Sequence, residues 1–320
     1  MHNGLRAPPR RPKAGRVSAP SKDRPLLALA LRLFGIAGFA VMALLIKLAA
    51  QSGVHVLEIM FWRQFVSLPI LLVWALLAGG FGALKTERPK GHAIRALYGV
   101  AGMLLNFGAV ILLPLAEATT FSFAAPIFAV ILSSIILRES VGLWRWSAVA
   151  AGFVGILVIA QPGGGQIPLF GAGVAIGAAF MIALISIQIR DLSRTEDALV
   201  IVFWFAAATV LLTAPALLFV HGPLDREQFL ILLGIGVSGT FGQSLITLAL
   251  RYGPVSSVVV MDYSNLIWAT LLGWLVFATV PPLSTWLGAP LIIGAGITIA
   301  WRERVLGMRR RAAARQVAGT

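Results

Sequence analysis

Cysteine is absent from the chain, which excludes a disulfide framework and any thiolate nucleophile or metal ligand. Histidine is scarce. His2, His55, His92 and His221 all fall in tails or at junctions between apolar runs, and neither an HExxH nor a GxSxG pattern occurs. Intramembrane nucleophilic or metal chemistry needs such groups at set spacing. An enzyme is therefore not expected, and neither is a cofactor or a bound metal. Charge is thin as well: 12% of residues are Asp, Glu, Lys or Arg, while 58% are hydrophobic. Soluble domains carry about twice that share of charge. With a mean hydropathy of +0.90, the chain is expected to cross a bilayer many times.

The charges present are mostly positive, for a net +14. Their placement argues against nucleic acid as a partner. Seven basic residues, from Arg6 to Arg24, precede the first apolar run, and six, from Arg302 to Arg315, follow the last. Such tails read as cytoplasmic ends near anionic headgroups. The first run, Leu26 to Ala50, is too long for the apolar core of a signal peptide.

A spanning helix takes about 20 apolar residues. Ten stretches meet that measure: 26–50, 56–80, 95–113, 116–137, 143–161, 168–189, 198–220, 228–250, 255–278 and 283–301. The breaks carry turn chemistry, as at Gln161-Pro162-Gly163, His221-Gly222-Pro223, Tyr252-Gly253-Pro254 and Val280-Pro281-Pro282. Alternate junctions hold the bases: Lys85, Arg88, Lys90 and Arg95, then Arg138 and Arg145, Arg190 and Arg194, and Arg251. The other junctions hold only Arg226. The positive-inside rule then gives ten helices with both termini in the cytoplasm.

The segment from Gly99 to Ala160 occurs twice. Shifted by 140 positions it falls on Gly239 to Ala300 without a gap, so that Gly99 meets Gly239, Gly102 meets Gly242, Pro114 meets Pro254 and Trp146 meets Trp286. Agreement of Gly, Pro and Trp in one register points to duplication. Each copy would hold five helices, an odd number, so the second would enter the membrane inverted relative to the first. Inverted repeats are a signature of secondary transporters. The chain divides as a basic tail (1–25), a first five-helix repeat (26–161), an external linker (162–167), a second repeat (168–303) and a basic tail (304–320).

The second part of each repeat resembles the drug/metabolite transporter superfamily, in particular its EamA-type repeat. The residues that carry the likeness are the Ala-rich entry at Ala116, Pro126 in mid-helix, Leu137 and Glu139 at a helix end, and Gly152 and Gly155 in the helix that follows. In the second copy they are Tyr263, Gly273-Trp274, Phe277, Pro281, Trp286-Leu287-Gly288 and Gly294-Ala295-Gly296. Thr279 stands where the family pattern has an acid, opposite Glu139 in the repeat register. The resemblance implies alternating access and the carriage of amino acids, related metabolites or drugs, with export favoured; import of a vitamin or nucleoside-type metabolite on the same fold is the alternative. It places the protein in a bacterial inner membrane, and a second copy of the chain is the candidate protein partner.

Ionisable groups within hydrocarbon need an explanation. Asp262, two turns into the ninth stretch, has no neighbouring charge and is the candidate for binding a substrate amine or a proton. Tyr263, Asn265 and Trp268 follow; Asp262, Asn265 and Trp268 are spaced to share one helical stripe. Asn106 and Gln243, in corresponding helices of the two copies, are amides that require partners. Arg63 lies too deep to snorkel. With Lys47 and Glu58 it forms either a local salt bridge or a positive mouth for a carboxylate or phosphate, and that mouth keeps a lipid carrier as an alternative. Arg32 reads as a snorkelling arginine. Pro126 is the candidate hinge, because a mid-helix proline frees a carbonyl and allows a kink. The glycines at 99, 102 and 108, at 173 and 177, and at 234, 236, 239 and 242 are expected at close helix crossings.

Overall fold

The computed structural model describes residues 25–136, 142–161, 167–220, 222–252 and 259–318. The basic tail before residue 25, Leu137, Arg138 and Glu139, most of the 162–167 linker, His221, and Gly253 and Pro254 lie outside the described residues. Every regular element among the described residues is helical. In a bilayer this follows from the backbone: each N–H and C=O must be satisfied within its own segment, and a helix does so.

The helices are α1 (Pro25–Gln51), α2 (Val56–Gly79), α3 (Pro89–Leu112), α4 (Leu115–Ser122), α5 (Ala125–Ile136), α6 (Leu143–Ala160), α7 (Leu169–Leu192), α8 (Ala198–Val220), α9 (Arg226–Tyr252), α10 (Asn265–Phe277) and α11 (Leu283–Ala318). Short 3-10 turns cover Phe81–Leu84 and Val259–Ser264. Among the described residues nine segments are long and apolar enough to span, with α4 and α5 counted as one. Their outer faces carry bulky apolar side chains such as Leu77, Leu218 and Phe219. These have no aqueous explanation at this density and suit acyl chains. The chain is a multi-pass membrane protein.

Two expected spans come out differently. The stretch 116–137 is not one helix: it breaks after Ser122 and restarts at Ala125. At the break the amides of Phe123, Ala124 and Ile127 donate to carbonyls three residues back, the tighter pattern of a chain between two helices. Pro126 therefore sits in the first turn of α5, where its missing N–H costs nothing, and not in mid-helix. The stretch 255–278 is a 3-10 turn over Val259–Ser264 followed by the 13-residue α10. The two breaks coincide in the repeat register: α5 starts at Ala125 and α10 at Asn265, 140 positions apart.

The helix pairings have the same regularity. α1 packs on α9 and α3 on α7; α2 packs on both α8 and α9, and α3 also meets α8; α6 packs on α11, and α4 on α10. Exchanging the corresponding helices of the two copies leaves all of these pairs but α4–α10 unchanged. Closeness comes from glycine. A Cβ on Gly242 would stand 2.8 Å from the Gly35 carbonyl oxygen, and one on Gly288 2.7 Å from that of Gly155. Gly173 has open space around it and supports no crossing.

The turns meet in two groups. At one end, the α2–α3 turn meets the α7–α8 turn. There the Thr86 hydroxyl and the amides of Glu87 and Arg88 donate to Glu196, Arg88 pairs with Asp191 at 2.7 Å, and Trp204 Nε1 donates to the Leu84 carbonyl. Burial alone would raise the Glu196 carboxyl, but these donors, with His92 at 3.8 Å, outweigh it and hold the group below its ordinary range. At the other end the α1–α2 turn meets the start of α9, where Gln228 donates to the Ser52 carbonyl at 2.8 Å.

Candidate functional site

The fully buried apolar side chains gather towards the second of these ends. Ile46, Ile59, Met60, Leu113, Leu115, Phe121, Ile159, Leu232 and Ile235 form a dense plug there. On the other side of this plug the packing opens into a cavity of about 500 Å³. Its wall takes side chains from α1, α2, α3, α4, α7, α8, α9, the 3-10 turn and α10, so both copies of the duplicated unit contribute. Most of the surface is apolar, including Met103, Phe107 and Phe123, and a few polar groups converge on it: Arg32, Arg63, Asn106, Thr119, Asp262 and Asn265. An apolar pocket with a handful of fixed polar groups is the usual form of a small-molecule site.

Two of these polar groups pair with each other. Arg32 Nε donates to one Asp262 carboxylate oxygen at 2.7 Å and Nη2 to the other at 2.6 Å. The arginine side chain is 10% exposed and the aspartate 39%. The reading of Arg32 as a snorkelling residue is thus corrected: it turns inward to a carboxylate 230 positions away. Asp262 has no charge adjacent in sequence and finds its partner across the fold. This bidentate geometry is one that a guanidinium offers and an ammonium does not.

The 3-10 turn is what places Asp262. With three residues per turn, positions i and i+3 align, and Asp262 and Asn265 both reach the cavity. Trp268, one step further along the expected stripe, is not among the lining residues. Tyr263 does not line the cavity either. Its ring stands edge-on to Phe123 with centroids 5.0 Å apart. Tyr263 and Phe123 are equivalent positions of the two copies, so the contact marks where the copies meet on themselves. Gln243 is half-buried in α9 and away from the cavity, whereas Asn106 lines it.

Lys47 does something sequence reasoning missed. Its ammonium donates to the carbonyls of Val110, Ile111 and Leu113, the last acceptors of α3, left open because Pro114 cannot continue the helix. The side chain caps a helix C-terminus, where a cation is favoured. Glu117 was also missed. It is fully buried, accepts from the Thr285 hydroxyl at 3.1 Å through Oε1, and keeps Oε2 sealed without a hydrogen-bond partner. The signal was present: a lone acid three residues after a proline, inside an apolar stretch. Arg95 and Arg145, expected in loops, are buried in the second turn of α3 and the first turn of α6. The helix α3 starts six residues earlier than hydropathy suggests, which carries Arg95 inside. Among the described residues no group of three His, Asp or Glu side chains is placed to hold a metal ion.

The cavity, the duplicated breaks and the helix pairings can be set beside known proteins. The model of the EamA-like transporter family matches residues 26–161 and again 169–301. A riboflavin transporter of Vibrio cholerae is 29% identical over 76% of this chain and 82% of its own. An S-adenosylmethionine uptake transporter of Rickettsia prowazekii is 28% identical over 79% and 85%. A pseudopaline exporter of Pseudomonas aeruginosa is 28% identical over 82% and 92%. A solved crystal structure aligns with a TM-score of 0.55 at 22% identity, covering 85% of this chain and 98% of that one, a likeness of fold. These relatives are named as transporters, not enzymes, and they carry small molecules. With a family match over nearly all of its apolar length, the chain belongs to the EamA-like transporter family.

Proposed function

We propose that this protein is a secondary transporter of the bacterial inner membrane that moves a small polar or amphipathic metabolite by alternating access. In this reading ten segments cross the bilayer, the broken 255–278 stretch being one of them, and both termini are cytoplasmic. The five-helix units 26–161 and 168–303 are inverted with respect to each other. The meeting of the turns supports the inversion. Exchanging the two units carries the α2–α3/α7–α8 junction onto the α1–α2/α8–α9 junction, so one end of the bundle becomes the other. The cytoplasmic end is then the one with Arg88, Lys90, Arg190 and Arg194, the plug lies on the external side, and the cavity faces the cytoplasm.

The observation that carries the reading is the cavity wall with its Arg32–Asp262 bridge, one partner from each unit. A bridge across the unit interface holds one state and must open or shift when the units rock. A substrate amine or a proton competes for Asp262, and Arg32 is freed in turn. Asn106 and Asn265 orient the polar part of the substrate. The breaks at 123–124 and 259–264, rather than Pro126 alone, serve as the bending points. Export of an amino-acid-like compound is the preferred direction. Uptake is the second reading, favoured by the uptake transporter among the relatives.

The test is transport by the purified protein in liposomes, with labelled amino acids, vitamins and nucleoside-type metabolites and an imposed pH gradient. Accumulation driven by the gradient, and lost in Asp262→Asn, is expected. Wild-type flux and pH dependence in Asp262→Asn would remove the role given to that residue. Lipid scrambling without soluble-substrate flux would replace the metabolite reading with a lipid one.

A further inference from the structure

The cavity wall is electrically unbalanced. Arg32 and Asp262 neutralise each other. Arg63 remains in the wall, with Nε sealed from solvent and no hydrogen-bond partner. Arg95, on α3, is 8% exposed, and its Nε and Nη1 are likewise sealed and unpartnered. Arg95 lies 4.3 Å above the ring of Phe205, itself a lining residue. Both guanidiniums thus border the same cavity, Arg63 directly and Arg95 through the ring of Phe205. Among the described residues the salt bridges are Arg32–Asp262, Arg88–Asp191 and His92–Glu196, and neither arginine is in them.

Guanidiniums stay charged, and buried charges are ordinarily paired. One cation–π contact compensates only part of a desolvated charge. Two like charges, with three sealed N–H donors between them, leave a place for an anion. The cavity, which Arg63 lines, offers room for it. The rest of the wall, Met103, Phe107 and Phe123, is apolar and aromatic, fitting the organic part of the same molecule.

Resting on the transporter reading above, we infer that Arg63 and Arg95 form the anion subsite of the cavity, and that the transported molecule carries a carboxylate or phosphate on an apolar or aromatic body. Arg63 makes the direct contact through the cavity. Arg95 supplies the second positive charge and holds the aromatic wall at Phe205. A free organic anion and the headgroup of an acidic lipid share this chemistry, and the test separates them.

The full-length protein is placed in nanodiscs of phosphatidylcholine alone, and in matched discs containing phosphatidylglycerol. Each is titrated with indole-3-acetate, with its uncharged amide and with tryptamine, and the apparent Tm is read, since a ligand of the folded state raises it. A rise with the carboxylate in phosphatidylcholine discs, clearly larger than any with amide or amine, is expected. Arg63→Gln should weaken the carboxylate's apparent affinity at least tenfold and Arg95→Gln about as much, while Arg63→Lys retains part of it. Should a glutamine variant not fold, the amide comparison in the wild type still decides. Equal shifts with acid and amide, or an unchanged response in both glutamine variants, would overturn the subsite. A site blocked by phosphatidylglycerol, with no carboxylate response in its absence, would overturn the free-anion assignment in favour of a lipid headgroup. Flux of a neutral or cationic metabolite with Arg63→Gln fully active would sink this inference and leave the transporter standing. Carboxylate binding without flux of any solute would do the reverse.

Discussion

The two broken segments of the bundle share a geometry and differ in chemistry. In the first, Ser122, Phe123, Ala124 and Ala125 carry the chain from α4 into α5; in the second, Asp262, Tyr263, Ser264 and Asn265 carry it from the 3-10 turn into α10. The positions correspond one to one, and Phe123 touches Tyr263. Yet the first copy offers a hydroxyl and a methyl where the second offers a carboxylate and an amide. Arg32 has no counterpart either, because α7 carries no charged residue before Arg190. The scaffold is held by the shared glycines, prolines and breaks, while polar side chains appear in one copy at a time. On the alternating-access reading proposed above, the two halves must stay similar in shape to reach two states of similar energy. They have no such need for two acids.

The most damaging way to break this comparison is to move the acid to the other copy. In Ser122→Asp/Asp262→Ser the total charge is unchanged, but Arg32 loses its bidentate partner. Breaking a fully buried ion pair costs about 3–5 kcal/mol. Asp262 is 39% exposed, so solvent screening reduces this to about 1–2 kcal/mol. A fall in transport of about 10–100-fold in proteoliposomes is expected, with a lowered apparent Tm. The reversed pair, Arg32→Asp/Asp262→Arg, should recover part of the Tm but not the flux. Full activity of the relocated acid would show that either break can host the site.

Glycine positions sharpen the comparison next. Gly288 lies at the α6–α11 crossing, a contact of corresponding helices, and an added methyl there meets the Gly155 carbonyl and the Ile159 side chain. Gly288→Ala should lower stability by about 1–3 kcal/mol through overpacking, read as a fall in detergent Tm. Gly173, mid-helix in α7 and facing open space, should tolerate alanine, with a gain of about 0.5–1 kcal/mol from helix propensity. Equal effects at the two sites would mean that the crossing is not close-packed.

How much of this was legible in the sequence follows from the range of each interaction. Most span positions and the repeated Gly and Pro are local patterns, and they were readable, although the two stretches that hold the breaks, 116–137 and 255–278, read as single spans. The switch from α to 3-10 at Val259–Ser264 was not readable, because it turns on hydrogen-bond register and not on composition. The Arg32–Asp262 bridge joins residues 230 apart and cannot be found before the fold is known. Arg95 was misplaced because hydropathy locates where a helix becomes greasy and not where it begins: α3 starts at Pro89. Asn106, Asn265 and Arg63 were singled out as polar groups with no lipid-compatible explanation, and all three line the cavity.

A smaller effect compares the buried polar groups at the two ends of α4 and α6. Thr285 gives Glu117 its hydrogen bond, and the register position of Thr285 in the first copy is Arg145, also buried. One end of the bundle therefore buries an acid and the other a base. Thr285→Val removes a hydrogen bond to a sealed carboxyl, a change of about 1–2 kcal/mol. It should lower the detergent Tm more than Thr298→Val, whose hydroxyl bonds its own helix on an exposed face. Similar shifts in both variants would indicate that the acid is satisfied elsewhere.

The smallest expected effect contrasts the two turn junctions by pH. At the α2–α3/α7–α8 junction the Glu196 carboxyl is held below its unfolded value by donors from Thr86, Glu87 and Arg88. A group depressed in this way adds stability that is complete above its unfolded pKa of about 4.3 and is lost as pH falls through the lower folded value. The junction at Ser52 and Gln228 is tied by a neutral amide and has no such dependence. Hydrogen exchange of full-length protein in detergent should therefore speed up at residues 86–88 between about pH 5 and pH 3, while the amides around 52–54 follow only the intrinsic rate. In Glu196→Gln the acid sensitivity at 86–88 should disappear, with a constant lower protection across the range. The same loss of protection at both junctions would trace the acid response to the whole bundle and not to this carboxylate.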